Sequence, residues 1–175
     1  MKNWLYFLIV VFIYFTVHEG THALVSLIKG EFNSVVIHWY GPEVIYNTAV
    51  DDRLPGIKWA LIAGLSGIVT ISTGYILYFL RTYTYNLKNM DVKRVLYYAT
   101  IVFLVIDPLY YSILTIFIGG KGDIAGISVG IRIPIWTVQV FFGIILLINR
   151  ELAATFILKS GVKTNHFLFR PWFIH

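Results

Sequence analysis

The sequence predicts a mainly α-helical membrane protein, with about four transmembrane helices and a short β-hairpin between the first and second. Three observations predict it. Of its 175 residues, 58% are hydrophobic and only 13% charged, with a mean hydropathy of +0.74, which leaves little room for a separate soluble domain. Four apolar runs each approach the roughly 20 residues that a helix needs to cross hydrocarbon. Between the first two runs, residues 31–48 change texture and become β-prone.

The first run, about Trp4 to Ile28, ends at Lys29-Gly30. A secretory leader would finish in a small-residue cleavage site, and none follows this run, so it reads as a retained span. The second run, about Ile57 to Leu80, is opened by Pro55-Gly56 and closed by Arg81. The third is about Val95 to Ile118 and the fourth about Ile133 to Ile148. Ser34 to Tyr40 and Val44 to Thr48 are rich in β-branched and aromatic residues, with Gly41-Pro42 between them, which predicts a hairpin within 31–50 beside the membrane. The chain thus divides into one membrane-embedded core, 1–150, and a basic aromatic tail, 151–175. In that tail Phe167, Phe169, Trp172 and Phe173 would lie along the interface.

The formal charge of +5 does not point to nucleic acid, because the basic residues lie between and after the spans. That placement suits anionic headgroups, so the lipid bilayer is the expected partner. Arg81, Lys88, Lys93 and Arg94 oppose only Asp91 on one side, and Arg150, Lys159, Lys163 and Arg170 oppose only Glu151. The hairpin side carries Glu31, Glu43, Asp51 and Asp52 against Lys29, Arg53 and Lys58. Positive-inside logic therefore expects both termini of an integral, multi-pass protein in the cytoplasm and the hairpin outside.

Within the first run stands His18-Glu19-Gly20-Thr21-His22, an HExxH motif. On a helix two histidines four residues apart leave the same face and can close on one metal ion. Glu19, one residue past the first histidine, can reach a metal-activated water without itself ligating. The bland alternative is a pair of buried histidines satisfied by neighbouring helices. Three ionisable side chains at membrane depth are costly without a function, and metal binding is the better account. The sequence has no cysteine, so the ligands must be histidine and carboxylate. These features predict a zinc peptidase, one zinc per chain, with Glu19 as general base. His38 fits no metal spacing and reads as a strand residue.

A catalytic zinc site needs a third protein ligand. Asp107 lies mid-span in Val105-Ile106-Asp107-Pro108, where an ionisable residue needs a partner and Pro108 frees a carbonyl. Asp123 lies in the glycine-rich break Gly119-Gly120-Lys121-Gly122-Asp123, and broken backbone at membrane depth is tolerated where it lines a cavity. Asp123 could equally cap the helix that begins at Ile124. On the residues alone both aspartates stay open.

Several stretches resemble the site-2 protease family of intramembrane zinc metalloproteases, particularly its small members without a PDZ domain. His18 to Leu24 resembles that family's HExxHAL, and Lys29 to Val35 its following glycine turn and strand. Ala63 to Gly67 resembles the small-residue segment of the next core helix, with Leu65 where a proline is usual. Gly122 to Ile127, followed by Gly130 to Pro134, resembles the late Asp motif. The resemblance implies Asp123 as third ligand, leaving Asp107 to support a ligating histidine or to line the cavity. It also implies a transmembrane or membrane-proximal protein substrate, and a cytoplasmic face for the end of the first helix nearest HExxH, opposite to the charge reading. The family's Asp-Gly pair is Asp123-Ile124 here and no NxxP precedes it, so asparagine-assisted oxyanion stabilisation is not implied. Gly64, Ser66 and Gly67 would let the second span approach the motif helix closely. Rival readings are a prenyl-protein peptidase, which usually takes a glutamate third ligand, and a non-proteolytic metal-binding protein or partner-helix binder that retains the fold.

Overall fold

A computed structural model describes residues 2–39, 41–118, 122–160 and 170–172. Helix α1 (Lys2–Ile28) leads into the antiparallel strands β1 (Phe32–His38) and β2 (Gly41–Tyr46), followed by α2 (Ile57–Phe79). The short α3 (Arg81–Asn86) precedes α4 (Met90–Leu109), a π-helical turn (Tyr110–Leu114) and the one-turn α5 (Thr115–Ile118). Helices α6 (Asp123–Ile131) and α7 (Ile135–Lys159) complete the chain. Four helical stretches are long and apolar enough to cross a membrane: Trp4–Ile28, Ile57–Phe79, Met90–Phe117 and Ile135–Lys159. Their outward faces carry exposed Leu8, Phe12, Leu24, Ile68, Ile76, Phe141 and Ile144. A belt of that extent suits lipid rather than water. The protein is a mainly helical membrane protein with a two-stranded sheet between its first two spans.

Two expected boundaries move. The fourth span runs on to Lys159, so residues 151–159, expected in the tail, are helix with buried Ala153, Ala154, Phe156 and Ile157. The polar triplet Asn149-Arg150-Glu151 looked like the end of the span, but Asn149 is fully buried and employed. Pro108 lacks the N–H that would bond the carbonyl of Leu104 one turn back. Asn149 Nδ2 donates to that carbonyl instead, at 2.7 Å, while its Oδ1 accepts from Tyr75 at 2.7 Å. One side chain thus repairs the proline break and ties α2, α4 and α7. Asn149→Leu is expected to cost about 1–3 kcal/mol, the penalty of an orphaned buried carbonyl. Thermal unfolding in detergent checks this, and a wild-type midpoint would overturn the role. Of the tail, Phe167, Phe169 and Phe173 lie outside the described residues, as does the Gly119-Gly120-Lys121 part of the glycine-rich break.

The hairpin forms where expected, but it turns at Trp39, and Gly41-Pro42 open β2 rather than separate the strands. Val35 pairs with Val44 and Ile37 with Pro42. The N–H of Val44 points away from β1, towards α1. Alternation turns position 42 outward as well, so proline there removes no ladder bond. Gly41 has φ of 136°, a conformation that residues with a side chain rarely adopt, and it packs on the Phe15 ring, 3.4 Å from where a Cβ would stand. His38 is a strand residue, 3.1 Å from Glu43 across the hairpin. The hairpin base is anchored by buried Glu31, which accepts from Lys58 and from the Thr48 N–H. Burial pushes the Glu31 carboxyl up, and these donors outweigh that and hold it below the usual carboxylate range.

Helix α2 is the hub. A Cβ on Gly130 would lie 2.3 Å from the Ala60 nitrogen, one on Gly126 2.6 Å from the Ala63 Cβ, and one on Gly74 2.8 Å from the Leu104 nitrogen. Helices α6 and α4 therefore pack backbone to backbone on α2, the close approach that small residues permit in lipid. Gly64 and Gly67, expected to admit the motif helix, instead face Ile127 of α6 and the Tyr111 ring.

Candidate metal centre

Tyr14, His18 and His22 recur every four residues on α1 and form one buried stripe facing the bundle. The Nε2 atoms of His18 and His22 are 3.2 Å apart. Asp123 Oδ2 is 3.3 Å from the first and Oδ1 is 3.1 Å from the second. Tetrahedral coordination with bonds of 2.0–2.1 Å requires ligand atoms about 3.3 Å apart. These separations have that size, with one aspartate oxygen turned to each histidine, although His18 and Asp123 are 105 residues apart in sequence.

The outer nitrogens decide what the inner ones present. His22 Nδ1 lies 2.7 Å from the Ile62 carbonyl, which only accepts, so Nδ1 carries the proton and the neutral ring offers its Nε2 lone pair inward. His18 Nδ1 lies 3.2 Å from Asp107 Oδ1, within ion-pair reach though not aligned as a hydrogen bond. Two imidazole nitrogens and a carboxylate thus converge. That set of donor atoms suits a divalent metal.

Asp107 faces the nitrogen of His18 that points away from the cluster, and it is almost fully buried. Its carboxylate accepts from the hydroxyls of Tyr14 and Thr70. A buried carboxylate with these partners is satisfied where it stands. Asp123 is the first residue of α6, but its side chain does not cap that helix: Gly122 holds the cap position. The carboxylate turns to the histidines and accepts from the Tyr111 hydroxyl at 2.9 Å. Tyr111 is fully buried on the π-helical turn, and its ring lies 2.9 Å from where a Cβ on Gly67 would stand.

Glu19 is half-buried beside the cluster, and His18, Glu19 and His22 can each bring a ligand atom within 4.8 Å of the others. Asp123 turns one oxygen to each histidine, whereas Glu19 Oε2 accepts from the Val44 N–H at 3.1 Å. Glu19 also lines an apolar groove of about 470 Å³ between α1 and the hairpin, with Phe12, Phe15, Val35, Ile37 and Pro42 among its walls. The Tyr46 ring meets that of His22 edge to face, 6.5 Å away. Burial, then the Asp123 and Glu19 carboxylates, push the Tyr46 phenol up, so it keeps its proton.

Sequence reasoning missed Tyr14, Thr70, Tyr111 and the Ile62 carbonyl. Tyr14 carried a signal, since it sits four residues before His18 on the motif face. The others are set by tertiary contact and had none. Compared with protein-family models, curated proteins and solved structures, the chain shows no match.

Proposed function

We propose that this chain is an intramembrane zinc metalloprotease that hydrolyses a peptide bond in or near a transmembrane segment. The observation that supports the reading is the convergence of His18 Nε2, His22 Nε2 and the Asp123 carboxylate, with the Glu19 carboxylate alongside. His18, His22 and Asp123 would hold the zinc, which when bound would supply a Lewis acid for water activation and carbonyl polarisation. Glu19 takes the proton of the attacking water and passes it to the leaving amine. Asp107 stands against the outer nitrogen of His18, the Ile62 carbonyl accepts from His22, and the Tyr111 hydroxyl donates to the carboxylate of Asp123.

A helical substrate hides its carbonyls in its own hydrogen bonds and must unwind before attack. The groove beside Glu19, at about 470 Å³, holds about one turn of helix at most (~500 Å³ from a diameter of 10–12 Å and a pitch of 5.4 Å). It suits an extended apolar segment. Metal content of the purified protein tests the reading. About one zinc per chain is expected in wild type, lost in His22→Ala and Asp123→Ala and retained, though more weakly bound, in Asp107→Ala. A folded wild type without metal would sink it, and loss confined to Asp107→Ala would move the third ligand to α4.

A further inference from the structure

Arg53 stands just before α2, where the hairpin returns to the bundle. Its guanidinium carbon lies 4.3 Å from the centroid of the Trp59 ring and 5.1 Å from that of Tyr46. Those rings meet edge to face, 5.9 Å apart at 83°, and the cation sits over both in the corner they make. Nη1 rests against α6, 3.7 Å from where a Cβ on Gly126 would stand, one turn after Asp123. Among the described residues no carboxylate forms an ion pair with it, and its buried Nε has no hydrogen-bond partner. Cation–π contact satisfies the face of a guanidinium, while its N–H donors lie in the plane, and here the buried Nε is unmatched. A planar fork set against two rings, with its Nε unfilled, is arranged for bidentate capture of a carboxylate.

We infer that Arg53 is a carboxylate-binding subsite beside the candidate metal centre, and that it takes a carboxylate of the peptide substrate. This rests on the proteolytic reading and names a feature of its substrate. Tyr46 bridges the two places, 6.5 Å from the His22 ring and 5.1 Å from the guanidinium carbon. At ~3.3 Å per extended residue, the carboxylate lies no more than about four residues from the bond that is cut.

The test uses the full chain carrying Glu19→Gln, in a neutral detergent, with three fluorescein-labelled Leu/Ala hexapeptides. One ends in an amide, one in a free carboxylate, and one is an amide with a single internal Asp. At least one carboxylate peptide is expected to bind about ten- to a hundred-fold tighter than the neutral amide, the size of a charge-assisted bidentate contact. Which of the two does so separates a chain terminus from an acidic side chain. Arg53→Gln should erase the difference and leave the affinity of the neutral peptide within about two-fold, while Arg53→Lys, which keeps the charge but loses the fork, should restore only part. Equal affinities for wild-type Arg53, or a preference that survives Arg53→Gln, overturns the proposal. So does a preference abolished by phosphatidylglycerol but not by phosphatidylcholine, which assigns the fork to a lipid phosphate. Zinc content of the same preparations reports on the metal centre separately. Bound zinc with no carboxylate preference overturns the subsite alone, and a preference without zinc supports the subsite while overturning the peptidase reading.

Discussion

Glu19→Gln is expected to lower peptide cleavage by about 10²–10⁴-fold, the usual contribution of a general base, while zinc content stays at one per chain. On the proposed reading the two readouts separate because Glu19 serves as the base and does not ligate. The amide oxygen of glutamine still accepts from the Val44 N–H, which Glu19 Oε2 does now at 3.1 Å, so the hairpin stays docked on α1. What is lost is the capacity to hold a proton between the attacking water and the leaving amine. Cleavage of an apolar transmembrane peptide, followed by mass spectrometry of the products, gives the first readout and metal analysis the second. Undiminished cleavage would remove Glu19 from the chemistry. Loss of zinc would make it a ligand.

Gly130→Ala is expected to disturb fold and centre together. The added methyl would stand 2.3 Å from the Ala60 nitrogen and 2.7 Å from its Cα, and backbone cannot move aside as a side-chain tip can. Overpacking of this kind costs about 1–3 kcal/mol, occasionally more. Helix α6 must lift from α2, and Asp123 is its first residue. A shift of a few tenths of an ångström there spoils a triad whose members are 3.1–3.3 Å apart. The expected result is a lower unfolding temperature and weakened zinc binding. Gly143→Ala is the control, since its nearest neighbour would be the Ser112 Cβ at an ordinary 3.7 Å, and it should be near neutral or slightly stabilising. Equal behaviour of the two variants would refute the backbone-contact argument.

The helix face of His18 and His22, the hairpin and the spans were legible because each rests on a pattern within a few residues. The fourth span was cut short because Asn149 and Glu151 look like an ending, and nothing local reveals that Asn149 answers a proline 41 positions earlier through the Leu104 carbonyl. The small residues of α2 were legible as a packing surface but not as to partner, because small-residue spacing says how near a helix can come and not which one comes. Asp107 and Asp123 could not be separated from the residues alone, since both are carboxylates in unusual backbone. Their positions differ by which nitrogen of His18 they approach, Nδ1 or Nε2.

By itself the sequence determined a helical membrane protein with a hairpin after its first span, and a histidine pair able to share a metal. Those properties follow from hydrophobic run length, β-propensity and the 3.6-residue period, all local. Only the tertiary structure decided that Asp123 lies against both histidines, that Tyr111 and Asp107 stand beside them, and that Arg53 lies in an aromatic corner, with no ion-pair partner among the described residues. Those positions come from α6 and α4 packing backbone to backbone on α2, and such long-range complementarity leaves no periodic trace in the chain.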